Sequence, residues 1–152
     1  MSQKVIDLLN EARARELSAI TQYMAQHYEL EDKDFGKLGS KLKEIGIQEM
    51  KHAEKLAERI LFLGGEPTSK PDVISKKGQA IPDMLATDIG LETQAIKMYN
   101  EAELVCAAEK DHISKALFEE LLAEEEQHLD LFQNIKEHVD KLGSAYLATL
   151  TG

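Results

Sequence analysis

Ile47-Gln48-Glu49-Met50-Lys51-His52-Ala53-Glu54 is the stretch on which the fold turns. It contains a Glu-x-x-His step, Glu49 to His52. A second step, Glu125 to His128, lies within Ala123-Glu124-Glu125-Glu126-Gln127-His128. Residues three apart on a helix are neighbours on one face. A carboxylate and an imidazole facing inward together make half of a dinuclear metal site. Two halves and two further carboxylates, one from each remaining helix, complete such a site in a four-helix bundle.

Those two carboxylates emerge from an internal repeat. Glu16 precedes Glu49 by 33 residues, and Glu92 precedes Glu125 by 33. Tyr23 lies seven residues after Glu16, and Tyr99 seven after Glu92. Each half of the chain therefore reads as a helical hairpin: a carboxylate, a tyrosine two turns later, then Glu-x-x-His on the partner helix. Two hairpins about a pseudo-two-fold axis place four Glu and two His around one point. A third Glu-x-x-His, Glu109 to His112, belongs to no repeat. At about 100° per residue, Glu109 is roughly 100° from Glu92 around the third helix, so this pair reads as surface charge.

The surrounding pattern is helical. Val5, Leu8, Leu9, Ala12, Ala19, Ile20, Tyr23 and Leu30 give one apolar face from about Val5 to Leu30, with Ser2 as N-cap and Glu16 mid-face. A second helix runs from Gly36 or Leu38 to Leu63, with Leu38, Leu42, Ile45, Glu49, His52, Ala53, Leu56, Ile60 and Leu63 on its face. Gly46 inside it costs roughly 1 kcal/mol against Ala and points to close packing. Gly64-Gly65 ends that helix. Residues Glu66 to Ala80, with Pro67 and Pro71, form a long crossover. A connection of that length can traverse a bundle and leave its flanking helices parallel. A third helix starts near Pro82 and runs to about Lys110, with Leu85, Ile89, Glu92, Ile96, Tyr99 and Cys106 on one face. A fourth spans His112 to Leu142, with Leu117, Leu121, Glu125, His128, Leu129, Phe132 and Ile135 inward. Ser144 to Leu150 forms a short apolar fifth helix that must dock. The fold class is all-α: a four-helix bundle in one domain, residues 1–152, with a long second-to-third crossover.

Composition narrows the function. Ala, Leu, Glu and Lys dominate, and only 3 of the 152 residues are Pro, which suits helices. The formal net charge of −10 argues against sequence-independent nucleic-acid binding and against an anionic membrane face. No apolar run reaches the ~18 residues of a membrane span. The first residues carry no basic segment followed by an apolar run, so no signal peptide is expected. Cys106 is the single cysteine. It excludes an intrachain disulfide and a thiolate cluster, and it fits a reducing compartment. Four inward carboxylates repel one another unless cations compensate. Two divalent ions balance four carboxylates and leave both histidines neutral. Mixed carboxylate and imidazole ligation suits iron or manganese, with zinc as a substitute.

The set Glu16, Glu49-Met50-Lys51-His52, Glu92 and Glu125-x-x-His128 resembles the ligand set of the ferritin-like di-iron proteins, in particular the bacterioferritins. The resemblance covers essentially the whole chain. It implies that Glu16 and His52 serve one iron and Glu92 and His128 the other, with Glu49 and Glu125 bridging. It implies an iron-storing ferroxidase that oxidises Fe(II) with dioxygen or hydrogen peroxide. It also implies storage of ferric mineral in a cytoplasmic shell of twenty-four subunits built from two-fold dimers, served by a ferredoxin-type reductant. His128 separates the chain from eukaryotic-type ferritins. The single cysteine excludes the rubredoxin module usual in rubrerythrins. By the same resemblance Met50 binds haem b, or a related haem, shared between two subunits; a packing methionine at a dimer interface is the plain alternative. Tyr23 either donates an electron during oxygen reduction or hydrogen-bonds a bridging Glu, and Tyr99 reads as packing. Where some relatives carry a cavity-facing histidine and aspartate, this chain has Glu44, a possible iron ligand, and Gln48, a poor one. Two other functions remain to be separated: a peroxide-consuming or electron-transfer di-iron protein without a mineral cage, and a non-enzymatic helical module.

Overall fold

The computed structural model describes residues 2–152. Four long helices, α1 (Gln3–Asp32), α2 (Gly36–Phe62), α3 (Ile81–Ala108) and α4 (His112–Leu142), are followed by α5 (Ser144–Leu147) and a 3₁₀ turn (Ala148–Leu150). No strand occurs among the described residues. The expected boundaries hold to within a turn, and α4 has the expected ones. Ser2 caps α1 by accepting from the Val5 amide, and Asp111 caps α4 by accepting from the Ser114 amide. Gly64 and Gly143, just beyond α2 and α4, have φ of 87° and 58°, a region costly for other residues.

The crossover is fixed to α1 from Asn10 to Glu29. Near the start of α1, the Asn10 amide donates to Glu66 O at 3.0 Å, and Arg13 Nε to Thr68 O at 2.8 Å. Further along, Ser18 Oγ accepts from the Asp72 amide at 2.9 Å, and Gln22 exchanges two bonds with Lys76. Near its end, Glu29 accepts from the Gly78 amide at 3.0 Å. From Asn10 to Glu29 is about 28 Å at 1.5 Å per residue, well over half the length of the 30-residue α1. The chain thus leaves α2 at one end and enters α3 at the other, so α2 and α3 run parallel and α3 runs antiparallel to α1.

The core has two apolar parts. One is built on Leu9, Leu56, Ile60, Tyr99, Phe118 and Leu121, the other on Tyr23, Leu30, Leu38, Leu42, Leu85 and Phe132. The Glu and His layer lies between them. Leu117, Leu129, Ile20 and Ile96, expected inward, are only half-buried; Phe118 and Ala95 take the deepest positions. Gly46 is explained: a Cβ there would lie 3.2 Å from Met24 Sδ and 3.9 Å from Tyr23 Cβ, so α1 and α2 approach closely. The fifth segment docks within its own chain. Leu150 is buried in the second apolar part, with Tyr146 and Leu147 packed against it. Its apolar character is therefore largely satisfied without a neighbouring subunit.

Candidate metal centre

Each ligand candidate sits near the middle of its helix: Glu16 on α1, Glu49 and His52 on α2, Glu92 on α3, Glu125 and His128 on α4. All six are buried, none more than 4% exposed. Both imidazoles turn Nδ1 inward. His52 Nδ1 lies 3.5 Å from Glu16, 3.2 Å from Glu49 and 3.1 Å from Glu125. His128 Nδ1 lies 3.4 Å from Glu49, 3.7 Å from Glu92 and 3.6 Å from Glu125. The rings are near parallel, with centroids 6.3 Å apart.

The six residues resolve into two overlapping groups, Glu16–Glu49–His52–Glu125 and Glu49–Glu92–Glu125–His128, each offering ligand atoms within 4.8 Å of one another. Glu49 and Glu125 belong to both. Each of the six leaves one buried atom without a hydrogen bond: an oxygen of each carboxylate and Nδ1 of each imidazole. Buried polar atoms are ordinarily paired. Six converging orphans, oxygen and nitrogen only, fit two hard or borderline divalent ions.

The outer contacts are also paired. Tyr23 donates to Glu92 Oε1 at 2.5 Å, and Tyr99 donates to Glu16. His52 Nε2 meets Glu124, and His128 Nε2 meets Gln48 Oε1. Two expectations change here. Tyr23 touches Glu92, which is in one group only, and not a carboxylate common to both. Tyr99 is more than packing, because its hydroxyl occupies a Glu16 oxygen that would otherwise lack a partner.

Without metal the centre retains protons. Burial, and then the Glu125 charge, push Glu16 up to about 7. Burial, then Glu16 and Glu92, push Glu49 up to about 7. Burial, then Glu125, push Glu92 up to about 8. For the imidazoles burial opposes the charge, but hydrogen bonds to the surrounding carboxylates outweigh it. His52 is raised well above the ordinary range, and His128 up to about 12. Burial and the nearby carboxylates raise both tyrosines, which keeps them as hydroxyl donors.

Elsewhere, Glu109 is exposed and accepts from Ser2, and His112 is exposed, so that pair stands apart from the centre. Met50 is 51% exposed, on the outside of α2. Glu44 is exposed. The hydrogen-bonding roles of Tyr99, Glu124 and Gln48 go beyond what the sequence pattern marked, although the correspondence of the two halves pairs Tyr99 with Tyr23 and Glu124 with Gln48. Asp88 on α3 and Gln26 on α1 are two further buried polar residues. Burial raises Asp88 well above the usual carboxylate range. Their repeat counterparts are Ala12 and Ala102, so no repeat signal marks them.

Residues 6–142 match the family model for the ferritin-like domain. A bacterioferritin of Desulfovibrio desulfuricans is 46% identical over 149 residues, covering 98% of this chain and 83% of that protein. One of Rhodobacter capsulatus is 38% identical over 147 residues, covering 97% and 91%. An X-ray structure of the Desulfovibrio desulfuricans bacterioferritin, describing its diiron site in different catalytic states, superposes with a TM-score of 0.96 at 46% identity. That match covers 98% of this chain and 87% of the other.

Proposed function

The chain belongs to the bacterioferritin family of ferritin-like proteins, and from that premise we propose how its own residues divide the work. The protein is an iron-storage protein with a di-iron oxidase centre, and Fe(II) is its substrate. Glu16 and His52 hold one iron, Glu92 and His128 the other, and Glu49 and Glu125 lie between them. The bound pair supplies two electrons for reduction of dioxygen or hydrogen peroxide. Tyr99 and Tyr23 hold the Glu16 and Glu92 carboxylates in orientation by hydroxyl donation. The apolar layers on either side exclude water from the centre. The observation that carries this reading is the set of six converging buried atoms without hydrogen bonds.

Met50 is the proposed haem ligand. The surroundings fit such a group: the thioether is half exposed, and an apolar cleft lined by Ile20, Met24, Ala25 and Tyr28 opens on the adjoining α1 surface. Haem b or a related haem held there, shared with a second subunit, would supply one-electron transfer. Exposed Tyr28, Val73 and Ile74 on α1 and the crossover support a two-fold dimer on this side; the proposed assembly into a twenty-four-subunit shell rests on the family relationship alone. A ferredoxin-type reductant for iron release belongs to the same proposal. So does a single working domain, residues 1–152. A cytoplasmic setting is supported by the free, buried Cys106, and no helix among the described residues is long and apolar enough to cross a membrane.

Anaerobic Fe(II) followed by air tests the storage reading. Oxidation should continue far beyond the roughly two ions a dinuclear centre holds per chain. Arrest at that ratio supports the peroxide-consuming alternative instead. Glu49→Ala should abolish fast oxidation, and an unchanged rate would overturn the proposed centre.

A further inference from the structure

The halves of the centre correspond through an offset of 76 residues, as from Glu16 to Glu92 and from His52 to His128. Inside the centre they match. Each imidazole presents Nδ1, and each of Glu16 and Glu92 takes a tyrosine hydroxyl from the other half. The outer ring breaks the match. Gln48 and Glu124 correspond by the same offset, and each backs the imidazole of the opposite half. Glu124 accepts from His52 Nε2, and Gln48 Oε1 accepts from His128 Nε2. One imidazole leans on a carboxylate, the other on a neutral amide.

That difference has a definite sign. A hydrogen bond from Nε2–H to a carboxylate is stronger than one to an amide. It draws the proton outward and makes Nδ1 the better donor to a metal. We propose that Glu124 and Gln48 are positioning residues that make the two metal positions unequal. The Glu16–His52 position binds its ion more tightly and fills first; the Glu92–His128 position fills second and releases first. This rests on the ligand assignment above. Loss of such an outer partner typically costs 10- to 100-fold in affinity. The Glu124 side chain is 42% exposed, and solvent weakens its charge, which places the expected preference near the lower figure, about tenfold. Asp88 beside Glu92 is the other break in symmetry. It is buried, and substitutions in the outer ring leave it in place.

The test uses Zn(II), which undergoes no redox change, at one ion per chain of metal-free protein, with anomalous scattering from crystals to locate it. The wild-type protein should show the ion mainly at the His52 position, with two calorimetric steps about tenfold apart. Gln48→Glu should narrow the gap. The exchange Gln48→Glu with Glu124→Gln should move the first ion to the His128 position. Equal occupancy in the wild type, or an unmoved ion in the exchange variant, overturns the proposal. Failure to bind two ions at all would instead overturn the ligand assignment beneath it.

Discussion

Loading the centre with two divalent ions should expel about four protons at pH 7. In the metal-free protein both imidazoles are raised far enough to be fully protonated at that pH. Glu92, at about 8, is nearly so, and Glu16 and Glu49, at about 7, are each about half protonated. The retained protons amount to about four, which is the charge that two divalent ions bring. The centre is close to neutral in either state, because an uncompensated buried charge is too costly. Six groups at their ordinary values of 4.5 and 6.5 would release only about half a proton, all from the imidazoles. Calorimetric titration with Zn(II) in buffers of different ionisation enthalpy measures the number directly. A total below about one proton per chain would mean that the metal-free centre does not hold these protons. The same shifts set a stability trend. Every shifted group in the centre has a folded-state pKa above its unfolded value, so the folded protein holds the extra protons. The carboxylate contributions are fully present below 4.5 and lost as pH rises through about 7 to 8. The imidazole contributions begin to fall above 6.5. Metal-free protein should lose thermal stability steadily from pH 5 to 9, while metal affinity rises over the same interval.

Met50→Ala should remove the haem Soret band and leave fast Fe(II) oxidation largely intact, because Met50 faces away from the centre; retained haem would sink the assignment. Tyr23→Phe and Tyr99→Phe each strip one hydroxyl from a buried carboxylate, at about 1–3 kcal/mol. Thermal unfolding of metal-free protein should show similar losses for the two, and a loss confined to Tyr23 would contradict their equivalence. Gly46→Leu should destabilise by about 1–3 kcal/mol, since a side chain there runs into Met24. An unchanged unfolding midpoint would mean that the α1–α2 contact is looser than 3.2 Å implies.

The six central residues were legible because a repeat is a stronger constraint than composition. Equal spacing in both halves fixes which positions correspond, and helical periodicity fixes that they face inward. The crossover was legible only as a gap. Its path depends on Asn10, Ser18 and Gln22 bonding loop backbone, and buried polar residues on a helix carry no periodic mark that distinguishes a clamp from a solvated face. Leu117 and Phe118 show a similar limit. Either fits an inward stripe, and only the rotation of α4 against its neighbours selects Phe118.

The tyrosines show where a further step from the sequence was open. Tyr23 lies seven residues beyond Glu16, about 10 Å along α1, too far to reach it. The crossover makes α3 antiparallel to α1, so residues at one level have numbers with a constant sum. Tyr23 with Glu92 and Glu16 with Tyr99 both sum to 115, and both pairs are hydrogen-bonded. The repeat and the antiparallel register together therefore require each tyrosine to serve the other hairpin's carboxylate. The same register puts Gln26 level with Asp88 and Ala12 level with Ala102, within one residue. Two levels that the repeat makes equivalent thus carry a buried polar pair on one side of the centre and two methyl groups on the other. Symmetry of the backbone places the six buried Glu and His side chains, and departures from it in single side chains set the surroundings of the two halves apart.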